Sequence, residues 1–301
     1  SDARICLVHS DKKSYGYQVN IGIKEARGRY IGIVETDDLI VNNMFEKLYN
    51  IAVRYDLDYV KGKFNSFVSV KDNEKYLWES SGLAEHKELY DKVICPCNIP
   101  YIYVKDANVG SGIYKKEFLT KNNIWFNESQ GAAYQDVGFL QQVISCSRKA
   151  LYCEQAFYIY RADRGESSVK SPKGLNYVRG EFERILSDKE LCNKIGSKEG
   201  FYTRMLSCFL GELKKVLPLV SFDRNSQFVS DSFRWFVEEL KNNYQCSILK
   251  KDKKEFEYIL SDEERYFECF QKRTEQITNN RNSMIKIIKN QNSIIFGAGI
   301  K

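Results

Sequence analysis

Apolar and polar positions change period along this chain. Short runs of strand character come first, and a long stretch with apolar residues three and four apart follows. RICLVH (4–9) is the first apolar run, of strand character. In SYGYQVNIGIKEARGRY, Ile21, Ile23 and Ala26 predict a helix, with Gly28 just past its end as a stop. Tyr30 to Val34 carries no charge, the pattern of a parallel strand covered on both faces. NNMFEKLYNIAVRY sets Met44, Leu48, Ile51 and Tyr55 at helical spacing, and DYVKGKF (58–64) predicts the next strand. Strand, helix, strand, helix, strand predicts an α/β fold with a mostly parallel sheet and crossover helices.

The middle is less regular. VGSGIYKKEFLTKNNIWFNE (109–128) predicts a strand or turn, a short helix and a loop. YQDVGFLQQVISCS (134–147) predicts a helix with Val137, Leu140 and Ile144 inward, and ALYCEQAFYIYR (150–161) an extended segment. From Leu175 to about Asn290 the period is helical, clearest in FRWFVEELKNNY (233–244). Three units follow from this pattern: an α/β domain over 1–174, a helical appendage over 175–291, and in NSIIFGAGIK (292–301) the opening strand and Gly-x-Gly turn of a further Rossmann-like unit.

Composition adds little constraint. With 43% hydrophobic and 29% charged residues the 301-residue chain has globular composition. A net charge of +6, spread along the chain, argues against a nucleic-acid stripe but suits a phosphate-bearing substrate or an anionic membrane surface. Nine irregularly spaced cysteines, with Cys95 and Cys97 too close for a zinc pair, predict reduced thiols in a cytoplasmic protein. No apolar run approaches the roughly 20 residues of a membrane span.

The chemistry concentrates in YIGIVETDDLI, where a strand ends in Glu35, Asp37 and Asp38. Ligands of open α/β sheets bind beyond the carboxyl ends of strands. Carboxylates clustered there suit Mg²⁺ or Mn²⁺, which take one or two of them together with phosphate oxygens. The competing reading is a solvated turn with an aspartate near a helix start.

The surrounding pattern resembles the core of the family 2 glycosyltransferases, of GT-A fold. KKSYGYQVNIGIKEARGRYIGIVETDD carries it through Gly16, Asn20, Gly22, Gly28, Tyr30 and Ile31, then Glu35-Thr36-Asp37-Asp38. Downstream, GIYKKEFLTKNNIWFNE, GAAYQDVGF and FYIYRADRGESSV stand in the order of that family's acceptor half, so the resemblance runs over roughly residues 2 to 170. It implies Asp37 as main metal ligand with Glu35 beside it, Glu35, Asp38, Asn20 and Gly112 at the donor, and Asp136 as general base. The reaction implied is transfer of a sugar from a nucleotide donor, UDP-linked, to a hydroxyl of a glycan or lipid-linked acceptor, with inversion. Such chemistry needs the attacking oxygen deprotonated as the diphosphate leaves.

Lesser candidates are Gly110, Ser111 and Gly112 as a floor, Arg161 as a phosphate partner or a salt bridge, and Ser167 and Ser168 in a closing loop. The family opens with a strand-helix-strand unit, about 30 residues or more, that holds the nucleotide. Its absence ahead of Ser1 leads to the expectation of an N-terminally truncated domain with an exposed strand edge near residues 4–8, open to homodimerisation or to peripheral association with the inner membrane face. A non-catalytic glycan-binding module and a nucleotidyltransferase are the two rival functions.

Overall fold

The computed structural model describes residues 2–69, 75–79, 82–163 and 171–291, with side chains to 285. Ser167, Ser168 and residues 292–301 lie outside that set. Helix α1 (Tyr15–Glu25) starts where Ser14 accepts a hydrogen bond from the Tyr17 amide at 3.2 Å. It turns Gly16, Asn20 and Ile23 inward and closes at Ala26, two residues before Gly28. Strand β1 (Tyr30–Gly32), β2 (Leu39–Ile40), helix α2 (Met44–Tyr55), the long β3 (Tyr59–Ser69), β4 (Lys75–Glu79) and β5 (Val93–Ile94) follow. Then come α3 (Pro100–Lys105), β6 (Gly112–Lys115), α4 (Lys116–Lys121), α5 (Gln135–Cys146) and β7 (Ala150–Arg161). Six helices complete the described residues: α6 (Gly174–Ser187), α7 (Lys189–Lys194), α8 (Lys198–Leu219), α9 (Ser230–Asn243), α10 (Lys250–Ser261) and α11 (Glu263–Gln291).

The seven described strands form one mixed sheet in the order β1-β6-β3-β7-β2, with β4 on β3 and β5 on β7. The α/β class is as expected, but the sheet is not mostly parallel. Among the described strands only β3 and β7 pair in parallel; β6 lies between β1 and β3 and is antiparallel to both. Strands β1, β3 and β7 therefore do share one direction, as their crossover helices require. The inserted β6 turns the ladders between β1 and β3 antiparallel.

Two other expectations fail. Residues 4–9 form no strand, and Ile5 and Leu7 are 77% and 78% exposed. The Tyr30–Val34 strand is shorter and less covered than its apolar run suggests. It stops at Gly32, sits at the edge of the described sheet and leaves Val34 exposed.

The helical half is no separate appendage. One apolar core runs from Ile23 and Ile31 of the sheet layer through Phe139 of α5 to Phe182, Phe209, Phe236 and Phe267 of the later helices. α5 is buried on every side except near its start, and α6 packs directly on it. A second, smaller core on the opposite sheet face places Met44, Leu48 and Ala52 of α2 against Val60, Ile113 and Phe157. All nine cysteines are free.

The two glycines of α1 make opposite demands. A Cβ on Gly16 would sit 2.0 Å from the Asn127 carbonyl oxygen, whereas one on Gly22 would meet nothing within 4 Å. Gly16→Ala should destabilise the fold by about 1–3 kcal/mol, since overpacking a rigid backbone forces a shift. Gly22→Ala should stabilise it by roughly 0.5–1 kcal/mol through helix propensity. Urea unfolding of both variants checks the pair of signs.

Candidate active site

The polypeptide leaves β1, turns at Glu35 to Asp38, where the Asp38 amide donates to the Glu35 carbonyl at 3.2 Å, and enters β2. Strand β2 pairs with Tyr158 and Ile159 of β7, which brings the acidic turn to the carboxyl end of the parallel ladder. Tyr158 fastens it there. Its hydroxyl donates to Asp38 Oδ2 at 2.6 Å and accepts from the Glu35 amide at 3.3 Å. The other Asp38 oxygen accepts from the Arg161 amide at 2.8 Å. The Tyr158 ring also lies against Gly110, where any Cβ would come within 2.5 Å of it. Only glycine lets the 107–111 loop approach so closely.

These segments enclose a pocket of about 170 Å³ that Glu35, Asp38, Asn108, Gly110, Asp136 and Tyr160 help to line. Asp136 enters from the first turn of α5, whose preceding residue Tyr134 adopts a left-handed φ of 64°. Burial raises the Asp136 pKa above the ordinary carboxylate value, opposed by the Val137 amide and by the charges of Arg204 and Lys61. That amide donates to Asp136 Oδ1 at 2.8 Å. Glu35 is also raised, first by burial and then by Asp38, Asp136 and Asp37, with Tyr15 pulling the other way. Asn108 Oδ1 is buried with no hydrogen-bond partner among the described residues.

Of the residues expected at the site, the structure brings together Glu35, Asp38 and Asp136, with Asp37 in the same turn. It takes two others away. Asn20 is 2% exposed, and its amide group donates to the Phe126 carbonyl and Glu128 and accepts from the Phe126 amide, all at 3.0–3.1 Å. It pins α1 to the 124–128 segment rather than facing a donor. Gly112 lies under β3, where a Cβ would meet Lys61 Cγ at 2.4 Å and the Val60 carbonyl oxygen at 2.5 Å. Close strand packing, not a sugar, accounts for it. Arg161 pairs with Asp163 at 2.8 Å, the salt-bridge alternative. No group of three or more His, Cys, Asp or Glu among the described residues is arranged to hold a metal by itself.

Several supporting residues were not anticipated. Lys61 and Asp106 form a buried ion pair, each side chain under 5% exposed. Asp106 also accepts from Tyr152 at 2.7 Å, and Tyr152 contacts the Tyr59 hydroxyl at 2.8 Å. Burial lowers the Lys61 pKa and the Asp106 charge opposes that shift. Lys61, following the apolar pair Tyr59 and Val60 within the strand DYVKGKF, was the available signal. From the helical half, Glu212 accepts a hydrogen bond from Tyr134 and is bridged to Lys215 at 3.1 Å. Glu181 lies against Gly138, where a Cβ would stand 1.9 Å from its Oε2. Burial raises the Glu181 pKa to about 7, opposed by Arg184 and by Asn127, which donates to it at 2.8 Å. The base of α5 is thus set by residues that follow it in sequence.

Residues 1–108 match the family described as Glycosyl transferase family 2, a span that includes the acidic turn and ends before Asp136. Over these residues the chain is similar to the family 2 glycosyltransferases. Among curated relatives, it is 27% identical to the glycosyltransferase EpsJ of Bacillus subtilis over 163 residues, 53% of this chain and 45% of that one. It is 26% identical to the glycosyltransferase GlyG of Streptococcus pneumoniae over 199 residues, 62% of each. The chain thus spans about half to under two thirds of these relatives' length. TarS of S. aureus, residues 1–349, superposes with a TM-score of 0.53 at 16% identity, covering 89% of this chain and 73% of that one. A second TarS structure, in complex with UDP-GlcNAc, gives 0.53 at 17% identity, covering 89% and 74%. The fold is therefore the GT-A-like one that the sequence pattern suggested. Among the described residues no helix is long and apolar enough to cross a membrane.

The buried pair beneath the site can be tested alone. Lys61→Met should cost about 3–5 kcal/mol, because Asp106 is left charged and buried. Adding Asp106→Asn, which keeps an acceptor for Tyr152, should recover part of that loss. A double-mutant cycle by chemical denaturation reads the coupling.

Proposed function

We propose that this chain is the catalytic part of a glycosyltransferase that moves a sugar from a nucleotide donor, UDP-linked, to a hydroxyl of a glycan or lipid-linked acceptor. The observation that carries the reading is the convergence of the family's acidic turn and Asp136 on one pocket at the carboxyl ends of β1, β3 and β7. The relative TarS, solved with UDP-GlcNAc, supports a nucleotide-sugar donor.

In this reading Asp136 accepts the proton of the acceptor hydroxyl while the diphosphate leaves on the opposite face, a single displacement that inverts the anomeric carbon. A raised pKa makes it a better base than a free carboxylate. The unpartnered Asn108 Oδ1 would accept from a sugar hydroxyl. Tyr158 and Gly110 hold the acidic turn at its distance from α5. A divalent cation fits the acidic turn. Glu35 is raised first by burial and then by its carboxylate neighbours; such an ion would relieve the second effect, and Mg²⁺ or Mn²⁺ needs only one or two carboxylates when a diphosphate completes its shell. Asp37 and Glu35 would hold it, and bound there it would neutralise the departing diphosphate.

Asp136→Asn in the full-length protein should lower kcat by about 10²–10⁴-fold with little change in donor affinity, since the loss is confined to proton transfer. Unchanged kcat would exclude Asp136 as the base.

The pH profile of kcat/KM carries a sign. Asp136 works deprotonated and its pKa is raised, so activity should be full above that pKa and fall as pH drops through it. The acidic limb should lie above the ordinary aspartate range of roughly 4, and the Asn variant should lack it. A wild-type limb at or below that range would contradict the assignment.

A further inference from the structure

The end of the helical half carries a surface that sugar transfer does not use. α8, α10 and α11 enclose a cleft of about 560 Å³. Tyr258, Tyr266 and Phe270 form part of its wall, with Lys251, Lys254 and Arg273 also lining it. Its carboxylate, Glu255, is already satisfied: Lys214 bridges it at 2.6 Å and the Tyr266 hydroxyl donates to it at 2.8 Å. Lys251, Lys254 and Arg273 have no ion-pair partner among the described residues. The cleft thus combines an aromatic wall with uncompensated positive charge.

α11 continues this character past the cleft. Phe270, Ile277 and Met284 recur every seven residues, so they follow one line down the helix. Ile277 and Met284 are 60% and 56% exposed, with Ile285 beside them 39% exposed. Arg273 and Arg281 stand four residues on either side of Ile277 and flank the apolar line. Glu275, the one acidic residue from 271 to 291, is about 200° round the helix from Ile277. Apolar and basic side chains share one face.

We propose that the α10–α11 cleft and the exposed face of α11 dock this protein on an anionic phospholipid surface. Apolar side chains flanked by cations suit the boundary of headgroups and acyl chains, where the first insert and the second meet lipid phosphates. Lys251, Lys254 and Arg273 would receive phosphates at the cleft, and Ile277, Met284 and Ile285 would enter the acyl boundary. A second copy fits this face poorly, because Arg273 and Arg281 would be brought against a like-charged face. The inference does not depend on the sugar-transfer reading, since its readout is binding alone.

The test is flotation of the full chain with vesicles of phosphatidylglycerol and phosphatidylcholine, against phosphatidylcholine alone, at low and high salt. Binding is expected only to the anionic vesicles and should weaken with salt. The triple variant Lys251→Gln, Lys254→Gln, Arg273→Gln should lose about fivefold in partitioning per charge, on the order of a hundredfold in all. The variant Ile277→Ser, Met284→Ser, Ile285→Ser should lose tenfold or more while the charges remain. Circular dichroism keeps unfolding from being mistaken for lost binding, since all six side chains are on the surface. No binding to anionic vesicles, or binding that both variants retain, overturns the proposal. So does a wild-type dimer in light scattering that the serine variant converts to monomer, which would assign the face to a second copy.

Discussion

The acidic turn depends on one tyrosine. Three carboxylates in four residues repel one another, and a short loop after a three-residue edge strand has little packing of its own to resist that repulsion. Tyr158 supplies the restraint from the long central β7 strand. Its ring is buried against Gly110 and its hydroxyl bridges Asp38 and the Glu35 backbone. Because the same ring touches both the acidic turn and the 107–111 loop, it sets the width of the pocket between them. Asp38, with both oxygens engaged, anchors the turn.

The other wall is fixed from the helical half. α5 is apolar almost all round, so its position is set by burial on several sides at once. Its start is tied by Tyr134 to Glu212 of α8, and its first turns are shaped to Glu181 of α6 through Gly138. Asp136 therefore faces the pocket because helices later in the chain hold α5 in place. That dependence is why the core shows no break near residue 174, and why 1–174 excised from 175–291 would expose the faces of α3 and α5 that α6 and α8 cover.

Much of this was legible in the sequence, for identifiable reasons. ALYCEQAFYIYR is the observed β7, because a long aromatic-rich run between polar turns has no competing helical period. Helices α2, α5 and α9 fall where their apolar spacing put them. Strand direction was not legible. Period-two patterning marks a face and says nothing of which neighbour pairs, so the insertion of β6 between β1 and β3 left no trace in residue order. RICLVH shows the converse: apolar content without a partner strand gave no strand. The acidic turn stood out because clustered charge after an apolar run is costly without a purpose, whereas Asp136 was named from the family resemblance alone. Asn20 and Gly112 were misassigned for one shared reason. A buried asparagine capping a backbone and a glycine under a strand leave the same letters as residues that contact a ligand. Tyr158 could not be found at all, since its partners lie more than a hundred positions away in sequence.

We propose the acidic turn as a nucleotide-diphosphate and metal site in this protein. Isothermal titration of UDP with Mn²⁺ into the wild-type chain and into Asp37→Ala tests it directly. Metal-dependent binding to the wild type that is lost in the variant is the expected result. Equal binding to both would contradict it, because the diphosphate would then be held elsewhere.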